Sequence, residues 1–188
     1  NTTLPNDTLM GSAAIKLTTK GLSTPVSNII FDLLDMTIDS VYTSNGATTY
    51  TYSSDSLLDV SLGSFSEGDT ITVYIDYHGK PFHEQWGGWH NQGGVRFNLG
   101  VGFQSIPHNL GKAWHPCFDN FIERATYTVS LTTAGGNVGV GSGVLINETV
   151  LSGDTIKRTY QLNQPIPTCL YGIAIADFVE LRDTVMSL

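Results

Sequence analysis

The residues closest to a recognisable chemistry are His83-Glu84-Gln85-Trp86-Gly87. A zinc peptidase uses His-Glu-x-x-His on a helix, where two imidazoles one turn apart bind the metal and the glutamate acts as general base. Here Gly87 stands where the second histidine is required. Trp86-Gly87-Gly88-Trp89 is also a poor helix former, since each glycine costs about 1 kcal/mol relative to alanine. No catalytic residue and no metal ligand is therefore expected in the chain. The five histidines, His78, His83, His90, His108 and His115, could offer imidazole ligands, but their spacings fit no tetrahedral zinc pattern, and most read as polar residues of a long loop that satisfy backbone groups.

His115 and Cys117 invite a thiol-nucleophile reading, because a nearby imidazole can lower a thiol pKa. Residues two apart on a strand share a face but lie roughly 6 to 7 Å apart, too far for a direct hydrogen bond, and no third group is identifiable. Gly139-Val140-Gly141-Ser142-Gly143-Val144 lacks the final glycine of a dinucleotide fingerprint and runs on into strand-like Leu145-Ile146. Its glycines read as a bulge or as close sheet packing. Trp86, Trp89, Phe97 and Phe103, interleaved with Gly and Asn, could stack on a sugar or cover a sheet edge or docking face. A short carboxylate such as Asp119 reads as a cap for backbone N–H groups or the partner of a base, with Arg124 as candidate.

The elements that must hold these groups read as strands. Ile71, Val73, Ile75 and Tyr77 alternate with mostly polar residues across 69–77, the pattern of a half-buried strand. The same period recurs at Ala13-Ile15-Leu17, Ala125-Tyr127-Val129-Leu131, Val144-Ile146 and Ile156-Arg158-Tyr160-Leu162, while 170–178 is apolar on both faces and reads as a strand buried between layers. Turn signals stand between them at Ser44-Asn45-Gly46, Glu67-Gly68-Asp69, Gly135-Gly136-Asn137 and Ser152-Gly153-Asp154. Residues 79–112 read as a long irregular excursion. The expected class is all-β, with antiparallel sheets packed face to face.

A chain of 188 residues is long enough for one domain with a substantial core. A net charge of −8 with only nine Lys and Arg argues against tracking phosphates, so nucleic acid is not an expected partner. The longest apolar run, around 170–179, is far short of a membrane span. The start, Asn1-Thr2-Thr3-Leu4-Pro5-Asn6-Asp7, lacks the basic and apolar regions of a signal peptide. The compartment stays open, leaning to secreted or periplasmic over cytoplasmic.

Pro116-Cys117-Phe118-Asp119, followed by Arg124-Ala125-Thr126-Tyr127, resembles the Pro-Cys-Phe-Asp-Glu-Pro…Lys-Ala-Thr-Phe signature of the aminopeptidase N family of zinc exopeptidases. Leu170 to Phe178 resembles that family's Tyr-Leu-Leu-Ala-Phe-x-Val-x-Asp-Phe strand, and Leu9 to Ile15 resembles its second strand. Asn120-Phe121 replaces the common Glu-Pro, and Trp114-His115 replaces a typical Ala-Phe. None of Met10, Met36 and Met186 precedes Glu-Asn, so the family's amine-binding Gly-x-Met-Glu-Asn strand is missing. The resemblance implies that residues 1–188 are a single N-terminal, non-catalytic domain, a saddle-like sandwich of antiparallel sheets. It implies a zinc-bearing catalytic domain elsewhere in the same polypeptide as partner, peptides as substrate, and no activity of this chain alone. It makes Gln104 the candidate substrate-binding residue, lining the pocket for the first side chain, and Cys117 a buried thiol. Cys169 is taken with it as a free core residue. The alternative is an independent β-sandwich that binds carbohydrate or protein.

Overall fold

A computed structural model describes residues 8–179; the reading of Asn1 to Asp7 and the position of Met186 lie outside the described residues. The first seven strands are β1 Leu9–Thr18, β2 Val26–Asp32, β3 Met36–Thr43, β4 Gly46–Ala47, β5 Tyr50–Ser53, β6 Leu57–Phe65 and β7 Thr70–Gly79. They form two antiparallel sheets, ordered β1-β7-β3-β4 and β2-β6-β5. The alternation of β7 explains its central place: Ile71, Val73, Ile75 and Tyr77 are buried, and Ile75 sits opposite Ala13 of β1 and Val41 of β3. Phe31, Leu58 and Val60 of the second sheet join them in one hydrophobic cluster.

The remaining strands are β8 His83–Glu84, β9 Gly87–Gln92, β10 Val95–Leu99, β11 Ala125–Thr133, β12 Val138–Gly141, β13 Val144–Ser152, β14 Thr155–Ile166 and β15 Ile173–Ala176. One sheet runs β12-β15-β10-β9-β8 and another β11-β14-β13, again antiparallel. Trp89, Trp114, Leu131, Tyr160, Tyr171, Ile173 and Ile175 carry the same hydrophobic cluster into this half. The halves are stitched by the Asp32–Cys117 bridge, by the Leu34 N–H donating to the Lys112 carbonyl at 2.9 Å, and by the Tyr77 hydroxyl donating to the Trp114 carbonyl at 3.0 Å.

The all-β expectation holds, as do the four turns. Two readings need correction. Residues 79–112 are not irregular throughout, because β8, β9 and β10 form a meander joined to the rest by pairing of β10 with β15. Glycine and histidine hide its alternation, and backbone hydrogen bonds together with the buried Trp89 hold it. Val144 to Ile146 belong to a strand, yet β13 is exposed along its whole length. It is an edge strand of its sheet, and neither face of its alternation is covered by a second layer.

Candidate functional site

The β8–β9 hairpin and the loop that follows β10 form the best candidate site. Glu84 is buried, and its carboxylate turns toward that loop. One oxygen accepts the Gln104 N–H at 2.8 Å; the other accepts the Ser105 N–H at 2.8 Å and the Ser105 hydroxyl at 2.6 Å. A hydroxyl and amides favour the charged form, so the Ser105 hydroxyl first, then the loop N–H groups, hold this carboxyl below its ordinary range against the opposing effect of desolvation. A Cβ at Gly102 would overlap the Glu84 carboxylate, so a side chain there would push the carboxylate out of this position.

Above this anchor, Trp86 and Phe103 stack in near-parallel fashion, with centroids 6.0 Å apart and 16° between planes. Both face solvent, at 56% and 73% exposure. Gln85 and Gln104 complete the lining of an open cleft of about 340 Å³. The side-chain oxygen of Gln104 accepts the Gln85 N–H at 3.3 Å. The structure therefore brings Gln104 beside Trp86 and Phe103 but separates the other aromatics: Trp89 is 5% exposed, and Phe97 stacks on His90 at 5.3 Å. A four-ring sugar platform does not form.

The segment 115–119 is built differently. Phe118 stacks on Phe31 at 5.3 Å, and both cysteines are free and buried. Burial first, then the nearby Asp119 and Asp32 carboxylates, push the Cys117 thiol well above its usual range. Burial also lowers His115 to about 4, so the imidazole is neutral near pH 7, with Nδ1 3.0 Å from the Pro116 carbonyl. A thiolate–imidazolium nucleophile is thus disfavoured on both sides. Asp119 caps backbone as expected, accepting the Lys112 N–H at 3.2 Å, but its charged neighbour is the Lys112 ammonium at 4.0 Å rather than Arg124. Arg124 is exposed. Lys112 lies in the Gly111–Ala113 turn that folds back over Asp119, a proximity no spacing rule discloses.

His83 and Glu84 occupy a two-residue strand, not a helix. His83 and His90 meet edge-on with centroids 6.3 Å apart, but His78 binds Asp39 at 2.8 Å and His90 Nε2 contacts the Gly87 carbonyl at 3.1 Å. Among the described residues no three of His, Cys, Asp and Glu come together to hold a metal ion. With the Glu84 carboxylate committed to loop donors, the His83–Glu84 strand does not fit the metal motif it resembles in sequence. Gly139 and Gly143 serve sheet packing, since a Cβ would press on Leu131 and on the Gln161 carbonyl respectively. What the sequence reading missed is the union of Glu84 with Ser105: Glu84 drew notice only as part of a broken metal motif.

Three structural neighbours agree on the architecture. An M1 zinc metallopeptidase from Deinococcus radiodurans matches with a TM-score of 0.77 and 22% identity, over 90% of this chain and 38% of that one. Two-domain M1 zinc metallopeptidase structures bound to L-tryptophan and to L-arginine each match with a TM-score of 0.78, 22% identity and the same coverage. The chain has the β-domain fold of the M1 zinc metallopeptidases. No family model matches the sequence. In sequence, transcription initiation factor TFIID subunit 2 of Danio rerio is 29% identical over 117 residues, 60% of this chain and 10% of that protein. The same subunit of Gallus gallus is 34% identical over 68 residues, 36% of this chain and 6% of that protein. The chain thus spans a tenth or less of these curated relatives. Among the described residues no helix is long and apolar enough to cross a membrane.

Proposed function

We propose that this chain is the N-terminal β domain of a zinc-dependent aminopeptidase that removes residues from peptide N-termini. It packs against a catalytic domain of the same polypeptide, which carries the zinc, and helps to line the substrate cleft. The observation that carries the reading is the match of nearly the whole chain to one part of a two-domain zinc peptidase. The exposed Trp86–Phe103 pair beside Gln104 supports a covered or ligand-facing surface at that place. Gln104 is assigned to the pocket wall for the substrate's first side chain, where its amide hydrogen-bonds or sterically limits that group.

The test is kcat/KM for the full-length protein and its Gln104→Ala variant across small, large and basic N-terminal side chains. A change in their ratio is expected, and a uniform factor across all substrates removes the specificity role. The sequence matches to transcription initiation factor TFIID subunit 2 favour a second reading, a protein-binding module within a non-peptidase assembly. Presence of His-Glu-x-x-His and a downstream Glu in the rest of the reading frame decides for the peptidase; absence of both decides for the module.

A further inference from the structure

Glu84 is a buried carboxylate whose hydrogen bonds all serve a surface loop. That loop has little core of its own: Phe103 is 73% and Ile106 90% exposed. It closes on itself through the Gly102 N–H donating to the His108 carbonyl at 2.8 Å and the Leu110 N–H donating to the Gly100 carbonyl at 2.7 Å. Its ties to the β8–β9 hairpin other than those to Glu84 are longer. The Phe103 N–H reaches the Trp86 carbonyl, and the Gln104 side chain reaches the Gln85 N–H, each at 3.3 Å. The three bonds to Glu84 are shorter, at 2.6 to 2.8 Å, and each involves an ionised acceptor, which makes it roughly twice as strong as a neutral bond.

We propose that Glu84 is a positioning residue that locks the 103–105 loop onto the hairpin, so that Gln104 and the Trp86–Phe103 pair form a preformed wall. The anchoring stands on the hydrogen bonds alone; its consequence for selectivity rests on the reading of Gln104 as a cleft residue. The lock is geometric. Gln104 and Ser105 present two successive N–H groups to the two oxygens of one carboxylate, and Gly102 leaves room for the approach. A glutamine of the same shape replaces one acceptor with an NH₂ donor, which must face one of these N–H groups.

The experiment is hydrogen exchange by mass spectrometry on the full-length protein, wild type against Glu84→Gln and Ser105→Ala. Amides at 104–105 should exchange about tenfold faster or more in Glu84→Gln, and less so in Ser105→Ala, with β7 and β14 unchanged. Unchanged exchange at 104–105 in both variants overturns the lock. If Glu84→Gln loosens β7 and β14 as well, Ser105→Ala alone decides, by the same criterion. A parallel kcat/KM panel separates the two readings. Glu84→Gln should shift the ratio between N-terminal side chains as Gln104→Ala does. If exchange rises and only Gln104→Ala shifts the ratio, Glu84 does not position the wall and the proposal falls. If exchange rises and neither variant shifts it, the lock stands and the cleft assignment of Gln104 fails.

Discussion

Glu84 and Asp119 are both buried carboxylates, yet their surroundings move them in opposite directions. Glu84 receives three short hydrogen bonds from one loop, and its pKa falls. Asp119 accepts one 3.2 Å backbone bond, has its ammonium partner 4.0 Å away, and lies near a second carboxylate, Asp32; burial dominates and its pKa rises. Depth of burial and donors together set the sign: three short bonds outweigh desolvation at Glu84, whereas deeper burial outweighs the weaker donors at Asp119. The difference also divides the labour of the domain. The region around Asp119, Cys117 and Phe118 is the seam that joins the two halves, whereas the region around Glu84 holds an exposed surface in shape.

The largest effect that sharpens this contrast is expected at the seam. Phe31→Ala removes a ring with 0% exposure that stacks on Phe118, and it should cost about 3–5 kcal/mol of global stability. Denaturant melts of wild type and variant measure it; a loss under about 1 kcal/mol would mean the seam is not a cooperative part of the fold.

A subtler expectation concerns acid. Asp119 has a folded pKa above its ordinary 3.8, so its charge costs stability at neutral pH, and that cost is relieved as pH falls through the raised value. Glu84 has a folded pKa below its ordinary 4.5, so its benefit is present above 4.5 and is lost as pH falls through the lowered value. Stability-versus-pH curves for Asp119→Asn and Glu84→Gln should therefore diverge from wild type with opposite slopes on acidification. Parallel divergence of the two would break the comparison.

The smallest effect belongs to the exposed Trp86–Phe103 pair. Phe103→Ala removes an exposed ring and should change global stability by no more than about 0.5 kcal/mol, while altering Trp86 fluorescence because the ring stacked on it is lost. A large drop in melting temperature would show that the loop contributes to the core after all.

Much of the fold was legible in residue order. The alternation in β7, β11 and β14 and the Gly- and Asn-marked turns are local, period-two signals, and each became a strand or a turn where expected. The Pro116 to Asp119 segment was legible as a signature, and its buried, thiol-bearing character followed. Other features were out of reach. The meander β8–β10 is tied by backbone pairing to β15, nearly eighty residues later in the chain, which leaves no periodic trace in glycine-rich sequence. Arg124 looked like the natural partner of Asp119 by proximity in sequence, yet the turn at Gly111–Ala113 brings Lys112 instead. Trp86 and Trp89 are the same residue type three apart, and only the pairing of β9 sends one inward and leaves the other in solvent. By itself, then, the sequence determined an all-β chain and its principal strands and turns, because alternation and turn chemistry act over a few residues. The tertiary structure alone decided that Glu84 meets Ser105 and that Gln104 sits beside Trp86 and Phe103, because those contacts join loop segments whose approach depends on how whole sheets pack.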